Sequence, residues 1–121
     1  MLNVIFYSDI NGKSEVMDCL EDLRVKAESG NKSARINREK IMTYISALSM
    51  YGLRLGVPYI KHIDGEIWEL RPIKNRILFF IWKKDEIILL SHFVKKTRKT
   101  PKREIEKAQR RANDWIERYG K

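Results

Sequence analysis

The side chains of this chain that could do chemistry are mostly cations, and they are concentrated near its carboxyl end. Between Lys95 and Arg111 there are nine Lys and Arg residues against two acidic residues. Further cations flank the predicted strands at Lys61, Arg71 and Arg76. Guanidinium and ammonium groups can hold a phosphate, stabilise the charge that grows on its oxygens and protonate a departing oxygen. The pattern therefore indicates a polyanionic ligand.

Other catalytic constellations have little support. The two histidines, His62 and His92, and the single cysteine, Cys19, show no metal-ligand spacing, and no glycine-rich phosphate loop is present. We therefore expect neither a metal nor a cofactor. Glu66 and Glu69 could be an acid and a base, but residues three apart in a strand face opposite sides, which argues against that pairing.

The charge is strongly asymmetric along the 121 residues, which we expect to form one domain, 1–121. The net charge is +9, and residues 51–121 carry the whole excess, with eighteen basic and nine acidic residues. Such a field concentrates polyanions without sequence preference, so nucleic acid is the leading partner class. The alternative is that the charges only keep the protein in solution. No signal peptide or membrane span is recognisable, so we expect a cytoplasmic protein without a membrane partner.

A short strand and two helices are predicted for the amino-terminal half. Leu2–Tyr7 is apolar and partly β-branched, which favours a strand. Ser14 is a good N-cap for a helix that ends at residues 29–31. Lys32–Met50 has the pattern of a second amphipathic helix, whose apolar face contains Ile36, Ile41, Tyr44, Ile45 and Leu48.

The second half predicts an antiparallel meander. Tyr59–Ile63 and Glu66–Arg71 flank Asp64 and Gly65, a strong signal for a hairpin turn. Residues 76–82 and 86–94 are nearly continuous apolar runs, as expected for central strands that are covered on both faces. We therefore predict an α+β fold with a mainly antiparallel sheet of four to five strands.

A carboxyl-terminal helix is predicted from Thr100 as N-cap and Pro101 in the first turn. One stripe of this helix should dock on the sheet through Ile105, Ala108, Ala112, Trp115 or Ile116, and Tyr119. Its outer face should carry the cations Lys102, Arg103, Lys107, Arg110 and Arg111. A solvated surface and a binding surface are both compatible with that face.

Three segments carry a family resemblance: WELRP at 68–72, NRILFF at 75–80 and FVKKTRKTP at 93–101. In this order, after a strand and two helices, they resemble the RelE/ParE superfamily of type II toxins, and most closely its HigB-like branch, which includes phage-derived proteins. The resemblance implies a RelE-like fold and a toxin that cleaves mRNA in the ribosomal A site. It also implies a helix-turn-helix (HigA-like) antitoxin, and operator DNA as a partner only through the toxin–antitoxin complex.

The family's functional residues map best onto Arg71, Arg76 and Lys95, with Lys96 and Lys99 as the next candidates. Glu69 could serve as a base for the RNA 2′-hydroxyl or pair with Arg71, and the ion pair is favoured. His92 could be an acid or base, or a packing residue. Contacts with RNA or the ribosome are expected from Lys61, His62, Lys74, Arg98, Lys102, Arg103, Arg110 and Arg111.

Two hypotheses follow for the function. In the first, the chain is a ribosome-dependent endoribonuclease that uses a metal-free cationic site and the nucleophile that RNA itself carries. In the second, it binds without chemistry, either as a gyrase inhibitor of the same fold or as a nucleic-acid-binding module. Without the resemblance, binding alone would be favoured over catalysis.

Overall fold

The structure, a computed structural model that describes residues 1–121, contains five strands and three α-helices. The strands pair in the order β1-β5-β4-β3-β2, with β1 parallel to β5 and all other pairs antiparallel. The fold is therefore α+β with the predicted meander. In chain order the elements are β1 (Asn3–Phe6), α1 (Glu15–Glu28), α2 (Lys32–Tyr51), a 3-10 turn (Gly52–Leu55), β2 (Ile60–Asp64), β3 (Ile67–Leu70), β4 (Asn75–Trp82), β5 (Glu86–Val94) and α3 (Lys102–Tyr119).

The sheet lies between two helical layers. Helices α1 and α2 cover one face through a core that includes Ile41, Leu48 and Phe79. Helix α3 covers the other face, where Phe80 and Trp115 belong to a second core. Strands β4 and β5 are buried on both faces because each contributes alternate residues to the two cores, as their continuous apolar sequences predict. We refer below to the α1/α2 face and the α3 face.

A β-bulge in β5 changes which face its last residues occupy. Leu89 pairs with Phe79 and Ser91 pairs with Leu78, so Leu90 is an extra residue without a partner. Strict alternation would place His92 on the same face as Leu90, which belongs to the α3 core. The bulge instead brings His92 opposite Ile77, on the α1/α2 face. The sequence has no glycine or proline here that would have indicated the irregularity.

The boundaries of α1 and α2 agree with the predictions to within a residue or two, whereas two predicted buried positions do not. Ser14 caps α1 through a hydrogen bond from the Met17 amide, as predicted. Ile36 was predicted to lie on the buried face of α2 but is exposed, and Ala34 is buried in that turn instead. Tyr119 is likewise exposed. No helix combines the length and the apolar composition that crossing a bilayer requires.

Candidate nucleic-acid interface

Glu69 is the centre of a charged cluster on the α3 face of the sheet. The alternation of β3 directs Ile67 and Glu69 toward α3, and only 3% of the Glu69 side chain is exposed. Its Oε1 lies 3.5 Å from Arg71 Nε and 3.7 Å from Arg76 Nε. The favoured ion pair between Glu69 and Arg71 is therefore present. A buried carboxylate needs such partners, because an uncompensated charge there would be costly.

The second oxygen of Glu69 is also occupied. Thr100 Oγ1 donates a hydrogen bond of 2.6 Å to Glu69 Oε2. The predicted role of Thr100 as the N-cap of α3 is wrong, since the cap position is taken by Pro101 and no side chain caps the helix. Because Glu69 is buried and its two oxygens face Thr100 and the two arginines, its position favours a structural role over that of a base.

Arg76 is buried beside this cluster rather than presented at the surface. Only 7% of its side chain is exposed, and Nη1 donates to the carbonyl oxygens of Ile73 at 2.9 Å and Asn75 at 2.8 Å. Burial, followed by the neighbouring charge of Arg71, lowers the pKa of Arg76. The guanidinium holds the turn between β3 and β4, where Ile73 has a φ of 59° that is unfavourable for a β-branched residue.

Arg71 is the arginine of this pair that solvent reaches. A quarter of its side chain is exposed, and its amide donates to the carbonyl of Tyr59, which fixes the backbone against the start of β2. Its Nε forms an ion pair with Glu69 at 3.5 Å but no hydrogen bond. Arg71 therefore combines a positioned backbone with a guanidinium that can engage a further anion.

An open groove of about 640 Å³ lies beside this cluster, between β2, the segment before α3 and the first turn of α3. Thr100, which is bonded to Glu69, is part of its wall, and Lys61 pairs across the ladder with Glu69. No acidic side chain lines the groove. Its lining consists of Lys61, Ile63, Thr97, Lys99, Thr100, Pro101, Lys102, Arg103 and Ile105. We call it the basic groove.

The positive charge of the basic groove is almost uncompensated. Lys61, Lys99 and Lys102 are exposed and form no ion pair, and Arg103 lies 3.9 Å from Glu104 with 81% of its side chain exposed. An ion pair of that kind contributes little at the surface. Three unpaired cations and one weakly paired arginine around one groove produce a local positive potential, which suits a polyanion.

A second group of predicted cations lies at the same end of the sheet. The Lys95 amide donates to the carbonyl of Lys74 at 2.7 Å, which joins the end of β5 to the turn before β4. Lys74, Lys96 and Arg98 are exposed, and Lys95 is half-buried. None of the four forms an ion pair. Together with Arg71 they extend the positive surface along the end of the sheet where β4 begins and β5 ends.

His92 lies apart from this surface. It is on the α1/α2 face, where Nε2 donates to Asn75 Oδ1 at 2.9 Å and lies 3.4 Å from Cys19 Sγ. Burial lowers the pKa of His92, although Glu15 opposes that shift, so the neutral imidazole is favoured. Burial also raises the pKa of Cys19 to about 11, and the thiol is therefore unreactive at neutral pH. The surroundings of His92 fit the packing alternative, because the sheet separates it from Glu69.

His62 is also on the α1/α2 side, since it pairs with Trp68 in the hairpin and packs against that ring at 5.0 Å. Its Nε2 donates to the carbonyl of Gly65 at 2.7 Å, so the side chain closes the hairpin turn. The turn residues are Gly65 and Glu66, one position later than predicted. His62 is exposed, but it does not line the basic groove.

The predicted outer face of α3 is confirmed for Lys102, Arg103 and Arg110, which are exposed, but is wrong for Lys107 and Arg111, which are half-buried and paired. Arg111 Nη1 donates to Glu15 Oε1 and to the carbonyl of Leu90, both at 2.9 Å. Glu15 also accepts a hydrogen bond from the His92 amide. Strand β1 ends before this part of β5, so the edge of β5 is unpaired there, and Glu15 and Arg111 satisfy its free backbone groups. Local helical periodicity gives no signal of such a contact.

Lys107 takes part in the same network, with Nζ at 3.2 Å from Glu15 Oε2 and 3.0 Å from Glu104 Oε1. Burial raises the pKa of Glu15, but the hydrogen bonds from Arg111, the His92 amide and Lys107 outweigh it, and the net pKa is lowered. The network joins α1 and α3 around the edge of the sheet. It removes Arg111 and Lys107 from the set of cations that are free to bind a ligand.

The fold and the basic groove define a small α+β protein with a surface suited to a polyanion. The family model described as phage-derived protein Gp49-like (DUF891) matches residues 31–113, which is more than half of the chain. The chain therefore belongs to the Gp49-like family, a RelE/ParE-like family of toxins from toxin–antitoxin systems. No curated protein matches the chain.

Proposed function

We propose that this chain is the toxin of a type II toxin–antitoxin pair and acts as a ribosome-dependent mRNA endonuclease. The observation that carries this proposal is the basic groove, which is lined by four cations and whose Thr100 is bonded to Glu69, the partner of Arg71. Membership in a family of toxins from toxin–antitoxin systems supports the toxin part of the proposal. The finer features of the proposal, namely the HigB-like branch, the ribosome and the RNA cut, rest on the sequence resemblance.

In the proposed reaction the 2′-hydroxyl of RNA loses its proton to water, attacks the phosphorus and forms a cyclic phosphate as the bond to the 5′ oxygen breaks. The protein has to position the phosphate and stabilise charge. Arg71 is assigned to the non-bridging oxygens of the scissile phosphate, because its Nε faces Glu69 and its remaining N–H groups are free to form a bidentate contact. Lys95, Lys96 and Lys99 are the proposed donors of a proton or a hydrogen bond to the departing 5′ oxygen. Arg76 supports this site by holding the turn and by adding positive potential from beneath the surface.

The rest of the positive surface is assigned to binding rather than to chemistry. Lys61, Lys102 and Arg103 line the groove and suit the phosphate backbone of mRNA or ribosomal RNA. Lys74, Arg98 and Arg110 are exposed and extend this surface. An antitoxin partner follows from the family, and a helix-turn-helix antitoxin that carries the operator contacts is the specific form that we propose.

The test is induction of the chain in cells, with cleavage sites mapped on translated and untranslated messages. We expect cuts within codons of translated messages, and growth arrest. Arg71→Ala should reduce cleavage by about 10²-fold, the usual effect of removing one preorganised donor. Lys40→Gln is a matched control, since Lys40 is an exposed, unpaired cation on α2.

Intact messages under full induction would refute the endonuclease. If DNA-damage signalling appeared with uncut mRNA, the gyrase inhibitor of the same fold would be favoured. If the purified protein bound RNA in a salt-sensitive way without products, and ribosomes did not change this, a binding module would be the correct reading.

A further inference from the structure

The segment 96–100, which follows β5 and carries Lys96, Arg98 and Lys99, has almost no hydrogen bonds of its own. Its backbone takes part in no backbone–backbone hydrogen bond. One internal contact is present, from Thr97 Oγ1 to the carbonyl of Lys99 at 2.9 Å. Backbone hydrogen bonds therefore contribute nothing to fixing the position of this part of the positive surface.

A single hydrogen bond joins this segment to the remainder of the molecule, and it comes from Thr100. The hydroxyl donates to Glu69 Oε2 at 2.6 Å, across 31 positions of sequence. The acceptor is an immobile one, because Glu69 is buried and its other oxygen lies near two arginines. A hydrogen bond to a charged and buried acceptor is stronger than an ordinary one.

Glu69 also forms an ion pair with Arg71, so this one carboxylate contacts both the segment 96–100 and the proposed phosphate-binding arginine. Glu69 Oε1 faces Arg71 and Glu69 Oε2 holds Thr100. The next residue before Thr100 is Lys99, whose side chain lines the basic groove. A shift of Thr100 would therefore change the distance between Lys99 and Arg71.

We propose that Thr100 is a positioning residue of the basic groove and acts through Glu69. Its hydroxyl anchors the segment 96–100, and that anchor sets the spacing of Lys99 from Arg71 on a bound RNA. The diversion of the hydroxyl from the N-cap of α3 fits this role, since the helix starts without a side-chain cap. The part of this proposal that concerns RNA rests on the proposed function.

The test compares Thr100→Val, which keeps the shape and removes the hydroxyl, with Thr100→Ser, which keeps the hydroxyl. Limited trypsin digestion measures the anchor without reference to any activity. Cleavage after Lys96 should be at least about tenfold faster in Thr100→Val than in the original chain, as expected for the loss of one charge-assisted hydrogen bond. Thr100→Ser should be cut within about twofold of the original rate. Circular dichroism controls for the overall fold of both variants.

RNA binding and cleavage by the same variants measure the positioning role. Thr100→Val should lose about tenfold in kcat/KM for ribosome-bound mRNA, whereas Thr100→Ser should retain it. Equal trypsin rates in Thr100→Val and the original chain would overturn the anchor. Faster proteolysis with unchanged RNA binding and cleavage would overturn the positioning role. If the original chain cleaves no RNA, the proposed function fails, but RNA affinity and trypsin rates still decide the role of Thr100.

Discussion

The salt dependence of RNA affinity should show how many cations of the basic groove contact a phosphate, and single variants should show which ones. Each phosphate that a cation neutralises on a single strand contributes about 0.7 to the slope of log affinity against log salt concentration. If Lys61, Lys99, Lys102 and Arg103 each contact one phosphate, the groove contributes a slope of about 2.8. Affinity through the groove should then fall about fifty-fold between about 50 and 200 mM salt.

Removing one of these cations should lower the slope by about 0.7 and weaken binding uniformly across RNA sequences. For Lys99→Gln the fall in affinity over the same salt range should be about eighteen-fold rather than fifty-fold. Lys99 suits this experiment because it is exposed and unpaired, so its replacement leaves no buried partner behind.

The assay is a titration of labelled single-stranded RNA with the purified protein at several salt concentrations, followed by fluorescence anisotropy. Lys40→Gln is the control of equal charge change, from a helix on the opposite face of the sheet. Equal slopes for the Lys99 and Lys40 variants would refute the assignment of the groove as the contact surface. They would show instead that only net charge matters.

Three further predictions concern Arg71, Arg76 and the network around Glu15 that joins α1 to α3. Arg71→Ala should lose RNA cleavage by about 10²-fold while its urea unfolding curve stays near that of the original chain. Arg76→Ala should unfold about 3 kcal/mol more easily, because it leaves the carbonyl oxygens of Ile73 and Asn75 without their donor, and urea titration measures this. Glu15→Gln should cost up to about 1 kcal/mol at neutral pH, a small value because the carboxylate is partly exposed. The lowered pKa of Glu15 means that its contribution is present above the usual carboxyl pKa and is lost as the pH falls through the folded value, so the two unfolding curves should converge in acid.

Much of the fold was predictable from local patterns. The short apolar runs of β4 and β5, rich in Ile and Phe, indicate central strands, because a strand that is covered on both faces can be apolar at consecutive positions. Gly65 predicts the hairpin, and Ser14 predicts the start of α1. The parallel pairing of β1 with β5 was not predicted, since such pairing depends on contacts between distant segments.

The site was predictable in composition but not in arrangement. Lys61, Arg71 and Lys99 were chosen from charge and resemblance, and they lie at one end of the sheet. The bulge at Leu90 moves His92 to the other face, and an irregularity of one residue leaves no reliable mark on the sequence.

The sequence by itself determined the strands and helices, the excess of positive charge and the family to which the chain belongs, because these follow from residue types and their spacing. The tertiary structure decided which cations are free. Arg76 is buried by the turn that it holds, and Arg111 is bound to Glu15 and to the unpaired edge of β5. Thr100 donates to Glu69 rather than capping its own helix. The physical reason is that a polar group bonds to whichever buried partner the fold brings near it, and that partner can be distant in sequence.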